Sequence, residues 1–414
     1  MSPARNNHGR AKSLLTNLQD YDEVRNKSLN LVASENVLSP IVRYALSTDL
    51  ASRYSSEFYG GTSTSRRIIE LAEELAKELF DCDYACVAPI SGHVCDLAAM
   101  NSLTSVGETI ALIQSDDGGY PFDIDSFNRK SSPLPFDKAN WTLDYSKLSS
   151  FYNDVSPKLT ILGASAILYT YSISDVIDNI KADDYVVYDG SHVLGLIAGK
   201  MFQHPLHEGV PILFGSTHKT FPGPQGGIIL GADADVYSKM VHQFSIQTSE
   251  HPFGKHHGTV LVDNVHSNRI AALSFSLLEM LEFGSQYAGQ VIRNSVALGK
   301  ALRKLGLQVK LNEREELTHS HQIIIKMNTD NGLEAKRLLE RCGINIDAFI
   351  RIGTAEVTRR GYKEREMEKI ADLIYRAIVE KEEIATIRTE VEELTSLHSG
   401  VEYCFTNIDD ALKL

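Results

Sequence analysis

The sequence contains little cysteine and no long apolar run. Five cysteines, an odd number, occur among 414 residues, and no apolar core follows Arg5, Arg10 and Lys12 as it would in a signal peptide. We therefore expect reduced thiols and a cytoplasmic protein. No apolar stretch approaches the roughly 20 residues needed to span a bilayer, so we expect no membrane partner.

Positive charge is also in deficit. The formal net charge is −13 at pH 7, which disfavours nucleic acid as the main partner, although a local cationic pocket for an anionic ligand remains compatible with it.

Cys82, Cys86 and Cys95 lie close together, but their spacing fits no standard zinc pattern. The histidine-rich segment 242–266 matches no metal motif either and is expected to be a loop. We predict no metal site.

Apolar runs that are typical of strands alternate with helix-like segments along the chain. The strand candidates are Tyr84–Val87, Thr109–Ile113, Thr160–Tyr169, Tyr185–Tyr188, Pro211–Phe214 and Gly227–Leu230. Such continuous runs predict an α/β fold whose mostly parallel sheet is flanked by helices on both faces. We expect an N-terminal arm over 1–30, a large domain over 31–285 and a smaller C-terminal α+β domain over 286–414. A helix near 270–283 would connect the two domains.

Lys219 is the most informative residue. It lies between His218 and Thr220, ahead of a glycine-rich segment, and the apolar run Tyr185–Tyr188 ends at Asp189, 30 residues earlier (219 − 189 = 30). Pyridoxal phosphate (PLP) explains both residues together, because a lysine forms an imine with its aldehyde and a carboxylate keeps its pyridine nitrogen protonated. A surface lysine and a turn aspartate are the simpler alternatives. The position of Asp189 after a buried strand favours the cofactor site.

Several other residues fit the same site less specifically. Ser91-Gly92-His93 follows a strand and opens a helix, where backbone N–H groups bind phosphate. His192 either braces the cofactor or substrate or packs as a neutral core histidine. Tyr120 either stacks on the pyridine ring or is an ordinary turn residue. Arg351 either clamps a substrate carboxylate bidentately or belongs to a solvated arginine-rich face.

Ordered matches along nearly the whole chain resemble the serine hydroxymethyltransferase family. The matching segments are Leu31-Val32-Ala33-Ser34-Glu35-Asn36, Tyr59-Gly60-Gly61, Glu78-Leu79-Phe80, Asp83-Tyr84-Ala85, Asp189-Gly190-Ser191-His192-Val193, Gly195-Leu196-Ile197-Ala198, Thr217-His218-Lys219-Thr220, Arg351-Ile352-Gly353-Thr354 and Thr358-Arg359-Arg360-Gly361. The resemblance implies the fold type I architecture of PLP-dependent transferases. It also implies a homodimer with active sites at the subunit interface.

The resemblance assigns roles to individual residues. By this analogy Lys219 binds PLP, Asp189 pairs with the ring nitrogen, His192 lies near the ring oxygen, and His218 supports the lysine. The phosphate would be held by Ser91 and Gly92, with His93 and Tyr120 at the cofactor. The substrate side would comprise Ser34, Tyr54, Tyr59 and Arg351, with Arg351 on the carboxylate and Tyr59 acting across the interface.

The chain also departs from the family pattern. Glu57 is the only acid left in the altered loop 54–59, so its role as proton shuttle is open. Tyr120 replaces a ring-stacking histidine, His93 a serine and Gln225 an arginine, while the folate-contacting loop before Arg351 is short. Three functions therefore stay open. They are serine and glycine hydroxymethyl transfer with tetrahydrofolate or another carrier, a folate-independent β-hydroxy amino acid aldolase or threonine transaldolase, and a catalytically silent PLP-fold protein.

Overall fold

The structure is a computed structural model that describes residues 7–56, 59–245, 247–251, 254–348 and 350–412. Its α-helices are α1 Asn7–Asn26, α2 Pro40–Leu46, α3 Ser63–Phe80, α4 Gly92–Leu103, α5 Leu148–Val155, α6 Ile173–Ile177, α7 Leu194–Ala198, α8 Ala234–Val241, α9 Ser267–Lys304, α10 Thr329–Arg341, α11 Ala355–Arg359, α12 Glu364–Tyr375, α13 Ile384–Ser396 and α14 Ile408–Ala411. A π-helical turn, Arg376–Glu380, follows α12.

The strands fall into one large sheet and four small pairs. They are β1 Leu29–Asn30, β2 Tyr84–Cys86, β3 Thr109–Leu112, β4 Lys130–Pro133, β5 Phe136–Asp137, β6 Thr142–Leu143, β7 Leu159–Leu162, β8 Tyr185–Asp189, β9 Ile212–Ser216, β10 Gly227–Gly231, β11 Gln247–His251, β12 Gly254–Gly258, β13 Gln322–Ile324, β14 Ile344–Asn345 and β15 Arg351–Gly353.

The central sheet has seven strands in the order β2-β10-β9-β8-β7-β3-β4. From β9 to β4 all pairs are parallel, whereas β10 runs antiparallel to both β2 and β9. Because β10 opposes both neighbours, β2 runs in the same direction as β9. The carboxyl ends of β2, β8 and β9 therefore share one edge of the sheet, where α/β proteins bind ligands.

Most predicted strands are confirmed, with three differences. The candidate Thr160–Tyr169 ends at Leu162, because Gly163 has φ of +132° and a Cβ there would lie 2.2 Å from the Asp189 carbonyl oxygen. Residues 308–311, a further strand candidate in the C-terminal part of the sequence, form only an isolated bridge, Val309 with Ile325. In the histidine-rich segment that was expected to be a loop, β11 and β12 pair as an antiparallel hairpin.

Helix α9 links the two hydrophobic cores. Its first two thirds contribute Ile270, Leu277 and Tyr287 to the core of the large sheet, and its last turns contribute Leu298 and Leu302 to the C-terminal core. The helix continues through residue 285, so the domain division predicted there stays a prediction.

The end of the predicted N-terminal arm joins the C-terminal core. Strand β1 pairs in parallel with β14, and Leu29 and Leu31 are fully buried in that core. The chain then crosses toward the large sheet, where the Asn36 amide contacts the loop after β9, so residues 32–36, the crossing segment, lie between the two cores.

Two absences among the described residues bear on other functions. No helix in the ranges given above combines the length and apolar character that crossing a membrane requires. In the same ranges, no group of three or more His, Cys, Asp or Glu side chains is placed to hold a metal ion. Cys86 and Cys95, which were considered as metal ligands, are buried thiols.

Candidate active site

Lys219 lies in the loop that follows β9, at the ligand-binding edge of the sheet. Burial lowers the pKa of Lys219, and the nearby Asp189 carboxylate offsets part of this effect. A lysine with a lowered pKa has more of its amine in the unprotonated, nucleophilic form near neutral pH. Lys219 therefore has the environment of a reactive amine.

Distant segments hold the backbone around Lys219. The Asn36 side-chain amide donates to the carbonyl oxygen of Lys219 at 2.8 Å, and the Tyr287 hydroxyl donates to that of Thr220 at 2.9 Å. The Thr220 hydroxyl in turn donates to the carbonyl oxygen of His192 at 2.8 Å. The lysine loop is thus tied to the N-terminal crossing segment, to α9 and to the loop after β8.

Two carboxyl groups lie near the lysine. Asp189 ends β8, and its Oδ1 accepts the Ser191 N–H at 2.9 Å. Asp96, which the sequence analysis missed, is buried on α4. Burial, followed by repulsion from Asp189, raises the pKa of Asp96 well above its usual value. The raised pKa favours the protonated form of Asp96 beside Asp189.

Three histidines surround Lys219. Burial lowers the pKa of His218 to about 4 and that of His321 to about 3. Burial and the charge of Lys219 lower the pKa of His192 well below its usual value. His321, which precedes β13, was not anticipated. Its ring stacks on that of His192 with a centroid separation of 6.1 Å.

The start of α4 brings serine hydroxyl groups together. Ser91 is the N-cap, and its hydroxyl accepts the Val94 N–H at 3.1 Å. The Ser191 hydroxyl accepts the Ser216 N–H at 3.0 Å. A Cβ on Gly92 would lie 2.3 Å from the Ser216 Oγ, so only glycine lets the helix start this close to β9. Helix N–H groups and hydroxyls at one point suit an anion.

His93 and Tyr120 meet beside this helix start. The Tyr120 hydroxyl lies 3.3 Å from the His93 Nδ1, and the two rings meet edge to face. Burial raises the pKa of Tyr120, with smaller contributions from the Asp96 and Asp189 carboxyl groups. Tyr120 therefore lies within electrostatic range of both carboxyl groups.

Arg351 begins β15 and faces the same site. The Asp347 carboxylate accepts from its Nε at 2.7 Å, and the Ser165 carbonyl oxygen accepts from its Nη1. The charge of Arg351 contributes to the lowered pKa of both Lys219 and His192. The guanidinium group is thus fixed in place close to the lysine.

The remaining predicted residues are placed differently. Tyr54 and Tyr59 stack on each other, with ring centroids 4.3 Å apart, and both side chains are exposed in the single chain. Ser34 is partly buried in the crossing segment, next to Ala33, whose carbonyl oxygen lies 3.0 Å from the His321 Nε2. Glu57 lies outside the described residues.

Comparison with known proteins identifies the family. The family model for serine hydroxymethyltransferase matches residues 10–374. The serine hydroxymethyltransferases of Methanocella arvoryzae and Methanopyrus kandleri are each 36% identical to this chain. Both alignments span 95% of this chain, and they cover 96% and 95% of those proteins, respectively.

Among solved structures, an L-threonine transaldolase from Pseudomonas fluorescens in its internal aldimine state has a similar fold. The TM-score is 0.88 and the identity 25%, with coverage of 100% of this chain and 98% of that one. The predicted α/β architecture of fold type I is confirmed, as is the prediction of an enzyme. The match to the family model and the similarity to these relatives show that this chain belongs to the serine hydroxymethyltransferase family.

Proposed function

We propose that this protein is a PLP-dependent enzyme that transfers or removes a one-carbon or aldehyde unit at Cα of glycine- and serine-type amino acids. The observation that carries the proposal is that Asp189 and Arg351 both lie within electrostatic range of Lys219. An amine, a carboxylate and a guanidinium group match the aldehyde of the cofactor, its ring nitrogen and the carboxylate of an amino acid.

The side chains present fit PLP. Lys219 would hold the aldehyde, Asp189 the ring nitrogen, and Ser91 with the backbone N–H groups at the start of α4 the phosphate. The His218 Nδ1 is buried without a hydrogen-bond partner within the described residues, as is expected where a polar ligand completes the site. When bound, PLP supplies a protonated ring that accepts the electron pair left by bond cleavage at Cα.

Several side chains of this protein would support this chemistry through their ionisation and position. The lowered pKa of Lys219 makes its amine available to exchange with that of the substrate. The raised pKa of Asp96 favours its protonated form, which would avoid a second negative charge beside Asp189. Arg351, pinned by Asp347, would take the substrate carboxylate and so orient the bonds at Cα. His192 and Tyr120 would position the ring.

We further propose a homodimer that shares its active sites. Helix α1 has no buried residue, and Leu14, Leu18 and Tyr21, spaced for one face, are each more than half exposed. The stacked pair Tyr54 and Tyr59 is exposed as well, and we propose that this pair and Glu57 complete the site of the partner subunit. A cytoplasmic location remains a prediction, supported by five free thiols.

The first test concerns the lysine. Lys219→Ala should remove the visible absorbance of the covalently held cofactor, whereas Lys300→Ala, on an exposed position of α9, should retain it. An unchanged visible spectrum in Lys219→Ala would contradict the proposal.

The acceptor of the transferred unit distinguishes the two candidate activities. We propose conversion of L-serine and a one-carbon carrier to glycine, by analogy with the named relatives. The likeness to a threonine transaldolase favours folate-independent aldehyde transfer as the second candidate.

Exchange of the glycine Cα hydrogen in D₂O should be measured by NMR with and without tetrahydrofolate. Strong stimulation by folate would support the first candidate. Indifference to folate, together with acetaldehyde release from threonine, would support the second.

A further inference from the structure

The Gln322 side chain lies between the C-terminal core and the candidate active site. It begins β13 and is fully buried. Its side-chain amide contacts two distant segments: the backbone of Ser165 and Ile167, and the His192 ring. No motif in the sequence pointed to this residue.

The orientation of the amide follows from its partners. The Ile167 N–H can only donate, so the atom 3.0 Å away must be the Gln322 Oε1. The Ser165 carbonyl oxygen can only accept, and it lies 3.0 Å from the Nε2. The amide therefore presents NH₂ toward His192, with the His192 Nδ1 at 3.1 Å. Both hydrogens of the NH₂ group have an acceptor.

This arrangement fixes the proton of His192. A nitrogen that accepts from an NH₂ group carries no hydrogen, so the neutral ring must be protonated at Nε2. The ring is buried, and burial together with the charge of Lys219 lowers its pKa. Both conditions favour the neutral form.

The neighbouring His321 does not compete for the amide. Its Nε2 lies 3.0 Å from the Ala33 carbonyl oxygen and must donate to it. The contact of 3.2 Å between that nitrogen and the Gln322 Nε2 consequently joins two donors. It is not a hydrogen bond, and both amide hydrogens remain for Ser165 and His192.

We propose that Gln322 is a positioning residue that locks His192 in its Nε2–H tautomer, so that His192 offers a hydrogen-bond donor to the cofactor ring. The Ser165 carbonyl oxygen also accepts from Arg351, and β13 pairs with β15. The Ser165 carbonyl oxygen thus holds both Gln322, which would fix the His192 tautomer, and Arg351, which would bind the substrate carboxylate. The role toward the cofactor rests on the function proposed above, whereas the tautomer of His192 can be measured without any cofactor.

The test is ¹⁵N NMR of the full-length, histidine-labelled protein, before and after addition of PLP. The His192 resonances are identified by their loss in His192→Asn. In the wild type without cofactor we expect Nε2 protonated and Nδ1 unprotonated. Gln322→Glu offers an acceptor to Nδ1 and should move the proton there. Gln322→Leu removes the lock and should give a mixture of tautomers.

Gln290→Leu is the matched control. Its amide is also buried but binds Asn294 and Glu364, so this variant should keep the wild-type tautomer. A wild-type ring protonated at Nδ1 would overturn the proposal, as would an unchanged Nε2–H tautomer in Gln322→Leu. The wild-type spectrum decides the matter even if a Gln322 variant does not fold. A protein that shows the expected tautomer but binds no PLP would contradict the proposed function and leave the lock intact.

Discussion

The side-chain amide of Asn36 donates to the carbonyl oxygen of Lys219 at 2.8 Å, across 183 residues of sequence. The same amide group donates to the Tyr287 hydroxyl at 2.9 Å, which itself donates to Thr220. One asparagine thus joins the N-terminal crossing segment, the long helix α9 and the lysine loop. The position of the Lys219 backbone depends on all three.

Removal of the Asn36 amide should therefore weaken the lysine loop. Asn36→Ala leaves the Lys219 carbonyl oxygen without this donor, which costs about 1–2 kcal/mol. We expect the affinity for PLP to fall about 5- to 30-fold, measured by absorbance titration of cofactor-free protein. Asn268→Ala removes a comparable bond to Leu46 and should leave the affinity unchanged. Equal affinities in Asn36→Ala and the wild type would contradict this role.

Asp96 makes the stability of the cofactor-free protein depend on pH. The pKa of Asp96 is raised in the folded protein, so the folded state binds its proton more tightly than the unfolded state does. The stability that the protonated Asp96 contributes is then lost as the pH rises above the pKa of an aspartate in the unfolded state, about 3.9. Asp96→Asn avoids this loss and should melt at a higher temperature than the wild type.

The gap between Asp96→Asn and the wild type should widen with pH. It should grow by about 1.4 kcal/mol per pH unit until the folded pKa is reached. Thermal melts at several values between about pH 4 and about pH 8 would show the trend. Asp154→Asn, at an exposed position, is the control. A gap independent of pH would mean that Asp96 is ionised in the folded protein.

Arg351 should contribute to binding of the amino acid substrate rather than of the cofactor. Hydrogen bonds to charged groups contribute about 1.5–3 kcal/mol, so Arg351→Ala should weaken glycine binding roughly 10- to 100-fold. The affinity for PLP should change little. Both constants can be measured by spectral titration, with Arg303→Ala, an exposed arginine, as control. Loss of PLP binding with unchanged glycine affinity would reverse the assignment.

The buried ion pair between Glu279 and Arg359 should matter for stability. The two groups are 2.6 Å apart and fully buried, and Arg359 also donates to the Tyr403 carbonyl oxygen. Either Glu279→Gln or Arg359→Met leaves an uncompensated buried partner, at a cost of about 3–5 kcal/mol. The double variant Glu279→Gln, Arg359→Met should be less destabilised than the sum of the two single changes.

Thermal unfolding of the single and double variants measures this coupling. Lys336→Ala breaks an exposed pair with Glu340 and should cost less than about 1 kcal/mol. If Arg359→Met were as mild as Lys336→Ala, the buried pair would contribute little.

Much of the fold and part of the site were predictable from the sequence. Buried parallel strands are continuous apolar runs, so β8 and β9 could be recognised locally, and Asp189 and Lys219 follow them at the edge that binds ligands. Arg351 was recognised through its motif. The long strand expected over 160–169 was wrong because the conformation at Gly163 is set by the neighbouring Asp189 backbone, a contact that no local pattern records.

Asp96, His321 and Gln322 could not be found in this way. Each is an ordinary polar residue in its own segment, and each acquires its role from burial beside residues that are distant in the chain. Gln322 meets His192 across 130 residues.

The sequence by itself determined the strand pattern, the candidate lysine and the family, because these depend on residue types in order along the chain. Only the tertiary structure decided which carboxyl group has a raised pKa, which polar groups face His192 and what holds the lysine loop. Those properties depend on desolvation and on hydrogen-bond partners, and both arise only when distant segments pack together.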